Sequence, residues 1–78
     1  MLIEIVTPDR NVYSGDVSLA TFPGSDGSFG IKENHAPMVA TLKEGKIKVV
    51  DESNKEQFFE VKGGVVEVNH NKIIVLAE

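Results

Sequence analysis

Turn signals cut this chain into pieces too short for helices. Thr7-Pro8-Asp9, Ser14-Gly15, a glycine- and proline-rich stretch over 22–38, Lys43-Glu44-Gly45, the polar run 51–55, Gly63-Gly64 and Asn69-His70-Asn71 follow one another closely. Each holds residues that supply positive φ, fix φ, or hydrogen-bond their own backbone. No piece between them carries a helical period of useful length. The pieces read instead as strands. Leu2–Val6 is β-rich. Asn11–Tyr13 is a short extended piece before Ser14-Gly15. Val17–Phe22 alternates, with Val17, Leu19 and Thr21 on one face and Ser18, Ala20 and Phe22 on the other. Met38–Leu42 is too short for a stable helix. Lys46–Val50 turns Ile47 and Val49 inward and its lysines outward. Gln57–Val61 and Val65–Val68 flank the Gly63-Gly64 pair, which marks a bulge or a strand corner. Ile73–Leu76 is apolar on both faces and predicts a central, covered strand. Short strands at regular turn spacing predict an all-β fold, a small antiparallel β-sandwich or flattened barrel, in one domain over 1–78.

The stretch from Phe22 to Met38 organises the rest. It contains Pro23, Gly24, Gly27, Gly30 and Pro37 and one of the two histidines, His35. Glycine permits backbone that other residues avoid, and proline fixes its own φ and restrains the residue before it. The stretch is therefore a shaped loop, or a short strand bounded by sharp turns. Phe29 and Ile31 are apolar at strand spacing and are expected to pin it to the core. A pinned loop with polar tips suits a partner surface.

Composition narrows the function. The 78 residues carry a formal net charge of −4, and the eight basic residues are scattered from Arg10 to Lys72. A phosphate-backbone binder shows a basic patch, so nucleic acid is not an expected partner. No apolar run approaches the roughly 20 residues of a membrane span, and Met1–Ile5 lacks the basic start of a signal peptide. Any membrane attachment is expected to run through another protein. With no cysteine there is no disulfide or thiolate–metal site.

Visible chemistry is sparse. His35 and His70 lie far apart, without the spacing of a zinc site. Ser25, Asp26 and Ser28 with His35 make a hydrolytic set only on paper, because no spacing demands it. Gly24–Gly30 lacks the Gly-Lys-Ser/Thr ending of a phosphate loop and the acidic spacing of a calcium loop. Lys55, in Ser-Asn-Lys-Glu, lacks the neighbours of a biotinyl or lipoyl carrier lysine, the alternative small β-sandwich module. No catalytic residue, metal site or cofactor is expected. A binding or assembly module is favoured over an enzyme.

Several motifs occur together and in order. They are Tyr13-Ser14-Gly15, Pro23–Gly27, Phe29-Gly30-Ile31, His35-Ala36-Pro37, Gly63-Gly64-Val65, Glu67-Val68 and the ending Val75–Glu78. With this order and spacing the chain resembles, over nearly its whole length, the N-terminal β-sandwich of the epsilon subunit of the F-type ATP synthase. The resemblance implies a non-catalytic central-stalk rotor subunit. It would dock on the gamma subunit and the c-ring and help couple ion flow to ATP synthesis at the alpha and beta subunits. It would sit peripherally on the cytoplasmic face of the bacterial inner membrane. By position, Ser25, Asp26, Gly27, Ser28 and Phe29 would face the c-ring, and Thr7, His35 and Thr41 the gamma subunit. Gly24, Gly30, Asn34 and Pro37 would shape the loop. Asn34 stands where the family commonly has glycine, and asparagine is the next-best residue at positive φ. The family's glutamate near Ser28 is missing. The chain stops at Glu78 where most members continue into a helical hairpin, so the resemblance implies no C-terminal helical domain, no self-inhibition by an extended arm and no ATP site on this subunit.

Overall fold

The structure is a computed structural model and describes all 78 residues. It has eight strands and no helix: β1 (Leu2–Val6), β2 (Asn11–Gly24), β3 (Gly27–Lys32), β4 (Met38–Leu42), β5 (Gly45–Asp51), β6 (Glu56–Val61), β7 (Gly64–Asn69) and β8 (Lys72–Ala77). The all-β expectation holds. The strands form one sheet in the order β1-β8-β7-β4-β2-β5-β6, with β3 paired to β2 and β1 also paired to β2. The sheet folds over on itself because β2 serves both halves. Its first part pairs β1, its second part pairs β5 and β3, and its last residue, Gly24, meets Leu42 of β4. All pairs are antiparallel except β1–β8, which is parallel. The core between the halves holds Ile3, Ile5, Val17, Ala20, Phe22, Ile31, Ile47, Val49, Val66, Ile73 and Val75, all fully buried.

Four sequence expectations need correction. Ser14-Gly15 does not break the chain: β2 runs straight through it for 14 residues. Gly15 is there for space. A Cβ on it would lie 2.9 Å from the Tyr13 hydroxyl, because the Tyr13 ring folds over it and packs on Phe59 with centroids 5.0 Å apart. Gly24 and Gly30 are strand residues, not loop residues. Ser25-Asp26 alone turn β2 into β3, with Gly24 opposite Gly27. Of the loop set, Asn34 and Pro37 remain in the β3–β4 connection, Asn34 at φ 61°. Finally, β8 is central, between β1 and β7, but it is not covered: Leu76 on its outer face is 57% exposed.

The predicted alternation of Val17–Phe22 also changes face midway. Val17, Ala20 and Phe22 are all buried, which strict alternation forbids. Val17 pairs Asp51 and Leu19 pairs Val50, so Ser18 is an extra residue on β2. Its hydroxyl donates to the Val50 carbonyl at 3.2 Å. One bulged residue switches which parity faces the core.

The remaining turns follow their chemistry. His70-Asn71 join β7 to β8 with φ of 49° and 61°, the two left-handed residues of a tight hairpin whose twist suits the strands. Asp51 Oδ1 accepts from the backbone N–H of Ser53 and Lys55 at 2.8 and 3.0 Å. Gly63-Gly64, at φ 154° and 145°, form the corner where the chain leaves β6 for β7.

Candidate functional site: a hairpin tip and an open sheet face

The β2–β3 hairpin tip is held by β4. Ser25 N–H donates to the Thr41 carbonyl at 3.0 Å, and Lys43 N–H to the Pro23 carbonyl at 2.9 Å. The Thr41 hydroxyl donates to Ser25 Oγ at 2.9 Å. Gly24 permits the tight β2–β3 turn itself, since a Cβ there would collide with the Gly27 carbonyl oxygen and lie 2.7 Å from the Phe29 ring. Ser25, Asp26, Gly27 and Ser28 are exposed, and Phe29 is half-buried. The Phe29 ring props the tip from inside, packed on Phe22 with centroids 5.5 Å apart. The tip and Met38–Thr41 border an open cleft of about 630 Å³. Phe29→Ala is expected to cost about 1–3 kcal/mol, below the range for a fully buried ring. Urea denaturation checks this, and a loss under about 0.5 kcal/mol would mean the ring bears no load.

The other three positions border one face. Strand register sets Thr41 of β4 beside Val65 of β7, Val65 beside Leu76 of β8, and Leu76 beside Val6 of β1, with Thr7 next in the chain. The adjoining row is Val39, Glu67, Ile74 and Glu4. These side chains point away from the core, because Ile3, Ile5, Val66, Ile73 and Val75 alternate with them. Val39 is 68% exposed, Leu76 57% and Val65 37%. Only Glu4 among the acids of these rows is paired, to Lys72 at 3.2 Å. Large apolar side chains gathered on an open face mark an interaction surface. Sequence patterning missed this face, since Leu76 reads as covered within the apolar run Ile73–Leu76; the alternation of Val65 and Leu76 with buried neighbours is the signal that reveals them.

Thr7 closes the β1–β2 turn: its N–H donates to the Arg10 carbonyl at 2.9 Å and its hydroxyl accepts from Arg10 N–H at 3.3 Å. His35 lies beyond the opposite end of β4 from Thr41. It is exposed, with Nδ1 2.8 Å from the Ala36 carbonyl. Asn34 N–H beside it donates to Asn71 Oδ1 at 2.9 Å, tying this connection to the β7–β8 turn. Thr41 and the hairpin tip are thus brought together, while Thr7 and His35 stand at separate borders of the face. Neither Ser25 nor Ser28 hydrogen-bonds His35, and Met38 to Thr41 spans roughly 10 Å of strand between them. No hydrolytic set is assembled.

Residues 1–78 match the family model described as ATP synthase, Delta/Epsilon chain, beta-sandwich domain. The chain belongs to this ATP synthase delta/epsilon β-sandwich family. Curated relatives named ATP synthase epsilon chain include that of Chlorobium limicola, 42% identical over 97% of this chain and 86% of the relative. That of Desulfatibacillum aliphaticivorans is 44% identical over all of this chain and 55% of the relative. The chain therefore spans little more than half of some relatives and most of others. In fold it is similar to a chain of the Euglena gracilis mitochondrial ATP synthase assembly of OSCP, F1 and c-ring, with a TM-score of 0.90 at 21% identity over 96% of this chain and 48% of that one. A chain of the Tetrahymena thermophila central stalk and c-ring gives 0.74 at 20% identity over 96% and 62%.

Proposed function

We propose that this chain is a non-catalytic rotor-stalk subunit of an F-type ATP synthase. The outer face of β1-β8-β7-β4 docks the gamma subunit, and the Ser25–Ser28 tip meets the c-ring. The carrying observation is the gathering of Val39, Val65 and Leu76, three of the four exposed large apolar side chains, on one face bordered by Thr41 and Thr7. An apolar centre with a polar border is the anatomy of a protein interface. The tip is polar and short, so its contacts set register on the ring more than affinity. Joined to both partners, a stiff folded sheet carries torque between them, which helps couple ion flow to ATP synthesis at alpha and beta. It makes no bonds in ATP. Attachment to the cytoplasmic face of the bacterial membrane would be peripheral, through the ring.

Calorimetric titration against the cognate gamma subunit tests this. Near-equimolar binding is expected. Leu76→Asp is expected to weaken it by about 2 kcal/mol, roughly 30-fold, as for a central interface residue. Phe58→Ser, in the other half of the sheet, is expected to leave it unchanged. Circular dichroism confirms that both variants fold. Wild-type affinity in the Leu76→Asp variant would place the gamma surface elsewhere.

A further inference from the structure

The fourth exposed large apolar side chain, Phe58, lies on β6, at 57% exposure. β6 ends the strand order. It pairs β5 from Val50↔Glu56 to Gly45↔Val61 with no register shift, and no strand lies beyond it. Sheet edges are ordinarily blunted by charged side chains, lysine above all, by proline or by a bulge. Residues 56–61 carry no lysine, proline or bulge, and their only charges are Glu56 and Glu60.

The free edge has a defined pattern. Asp51 N–H donates to the Lys55 carbonyl at 3.0 Å. This makes Val50↔Glu56 a non-hydrogen-bonded pair, and the alternation of an antiparallel ladder assigns the bonds to β5 to Gln57, Phe59 and Val61. The N–H and C=O of Glu56, Phe58 and Glu60 point outward from the edge. Val61 is buried and Phe59 packs against the core, so the side chains of Glu56, Phe58 and Glu60 share the outer face. Neither glutamate is in an ion pair: the two pairs in the chain are Met1–Glu33 and Lys72–Glu4. Lys46 stands opposite Glu60 on β5 without closing on it. The edge therefore offers acid, aromatic, acid in steps of two, each with a free backbone donor and acceptor.

We propose that β6 accepts an extended segment of a partner protein by strand addition. The segment carries basic residues opposite Glu56 and Glu60 and an apolar residue opposite Phe58. Main-chain hydrogen bonds hold it, and side chains at alternate positions select it. A second copy of this chain is disfavoured by charge. Two β6 strands paired about Phe58 set Glu56 against Glu60 twice, and like charges directly opposite repel. This surface lies in the other half of the sheet from the gamma-facing side and does not rest on that assignment.

The test is titration of the isotope-labelled chain, at low ionic strength, with a capped peptide Thr-Lys-Thr-Val-Thr-Lys-Thr and its counterpart with glutamate for lysine. The lysine peptide is expected to shift amide resonances within 56–61 and slow exchange at Phe58 and Glu60. It is expected to bind about tenfold tighter than the glutamate peptide, the swing of two cross-strand charge pairs. The Glu56→Lys/Glu60→Lys variant is expected to reverse that preference. Absence of shifts in β6 with the lysine peptide, equal binding of both peptides, or a wild-type dimer through β6 in sedimentation would each overturn the proposal.

Discussion

Phe22→Ala is expected to remove about 3–5 kcal/mol of folding free energy. Phe22 is the largest fully buried side chain. It lies in the second part of β2, opposite Phe29. A domain of this size holds on the order of 4–12 kcal/mol in all, at the usual 0.05–0.15 per residue. The loss is thus a large share of the total, and at the low end of that range it brings the variant to its unfolding midpoint. Relaxation cannot fill the gap cheaply, because β2 is shared by both halves of the sheet and cannot move toward one without leaving the other. The tip would also lose the surface on which Phe29 rests. Amide exchange over 24–29 is therefore expected to quicken more than at the β7–β8 turn. A urea midpoint within the error of wild type would show that Phe22 is not the keystone of the core.

The sequence made the strands legible wherever local chemistry decided the structure. The Asn69–Asn71 turn, the β5–β6 loop and the inward set Ile47 and Val49 needed no tertiary information. Errors arose where distant packing decided. Gly15 looks like a turn residue, and only the Tyr13 ring lying over it explains a glycine in mid-strand. The bulge at Ser18 has no local mark; its hydroxyl is held by carbonyls of β5, 32 and 33 residues away. An apolar run such as Ile73–Leu76 tells that a strand is wanted but not which side stays open. That depends on what lies across the sheet, and here the core lies on the side of Ile73 and Val75 only. The site was legible in the same partial way. A shaped stretch over 22–38 followed from glycine and proline placement and its Ser25–Phe29 bounds from the family resemblance, whereas the Val39, Val65 and Leu76 face required the registers of three strands.

Gly64→Ala is expected to cost about 2–5 kcal/mol, combining a disfavoured backbone with overpacking. Gly64 has φ 145°, where a side chain is strained. A Cβ there would stand 2.3 Å from the Leu76 carbonyl oxygen and 3.0 Å from Ala77 Cα. The neighbours are backbone, not a side-chain end that can swing aside. Relief requires β7 and β8 to part at Gly64↔Ala77 and Val65↔Leu76. Gly30→Ala supplies the contrast. Gly30 has ordinary φ, and its nearest atom to a new Cβ is 3.6 Å away. That substitution is expected to be neutral or to stabilise by up to about 1 kcal/mol through the unfolded chain. A loss at Gly64 beside no loss at Gly30, read from urea midpoints, would establish that close backbone approach fixes Gly64. Equal stability of the two variants would refute it. The approach also reaches function. Val65 and Leu76 flank the Gly64 corner, so parting the strands there displaces the two side chains at the centre of the open face. A Gly64→Ala chain that still folds is therefore expected to lose gamma affinity, although Gly64 has no side chain to offer a partner.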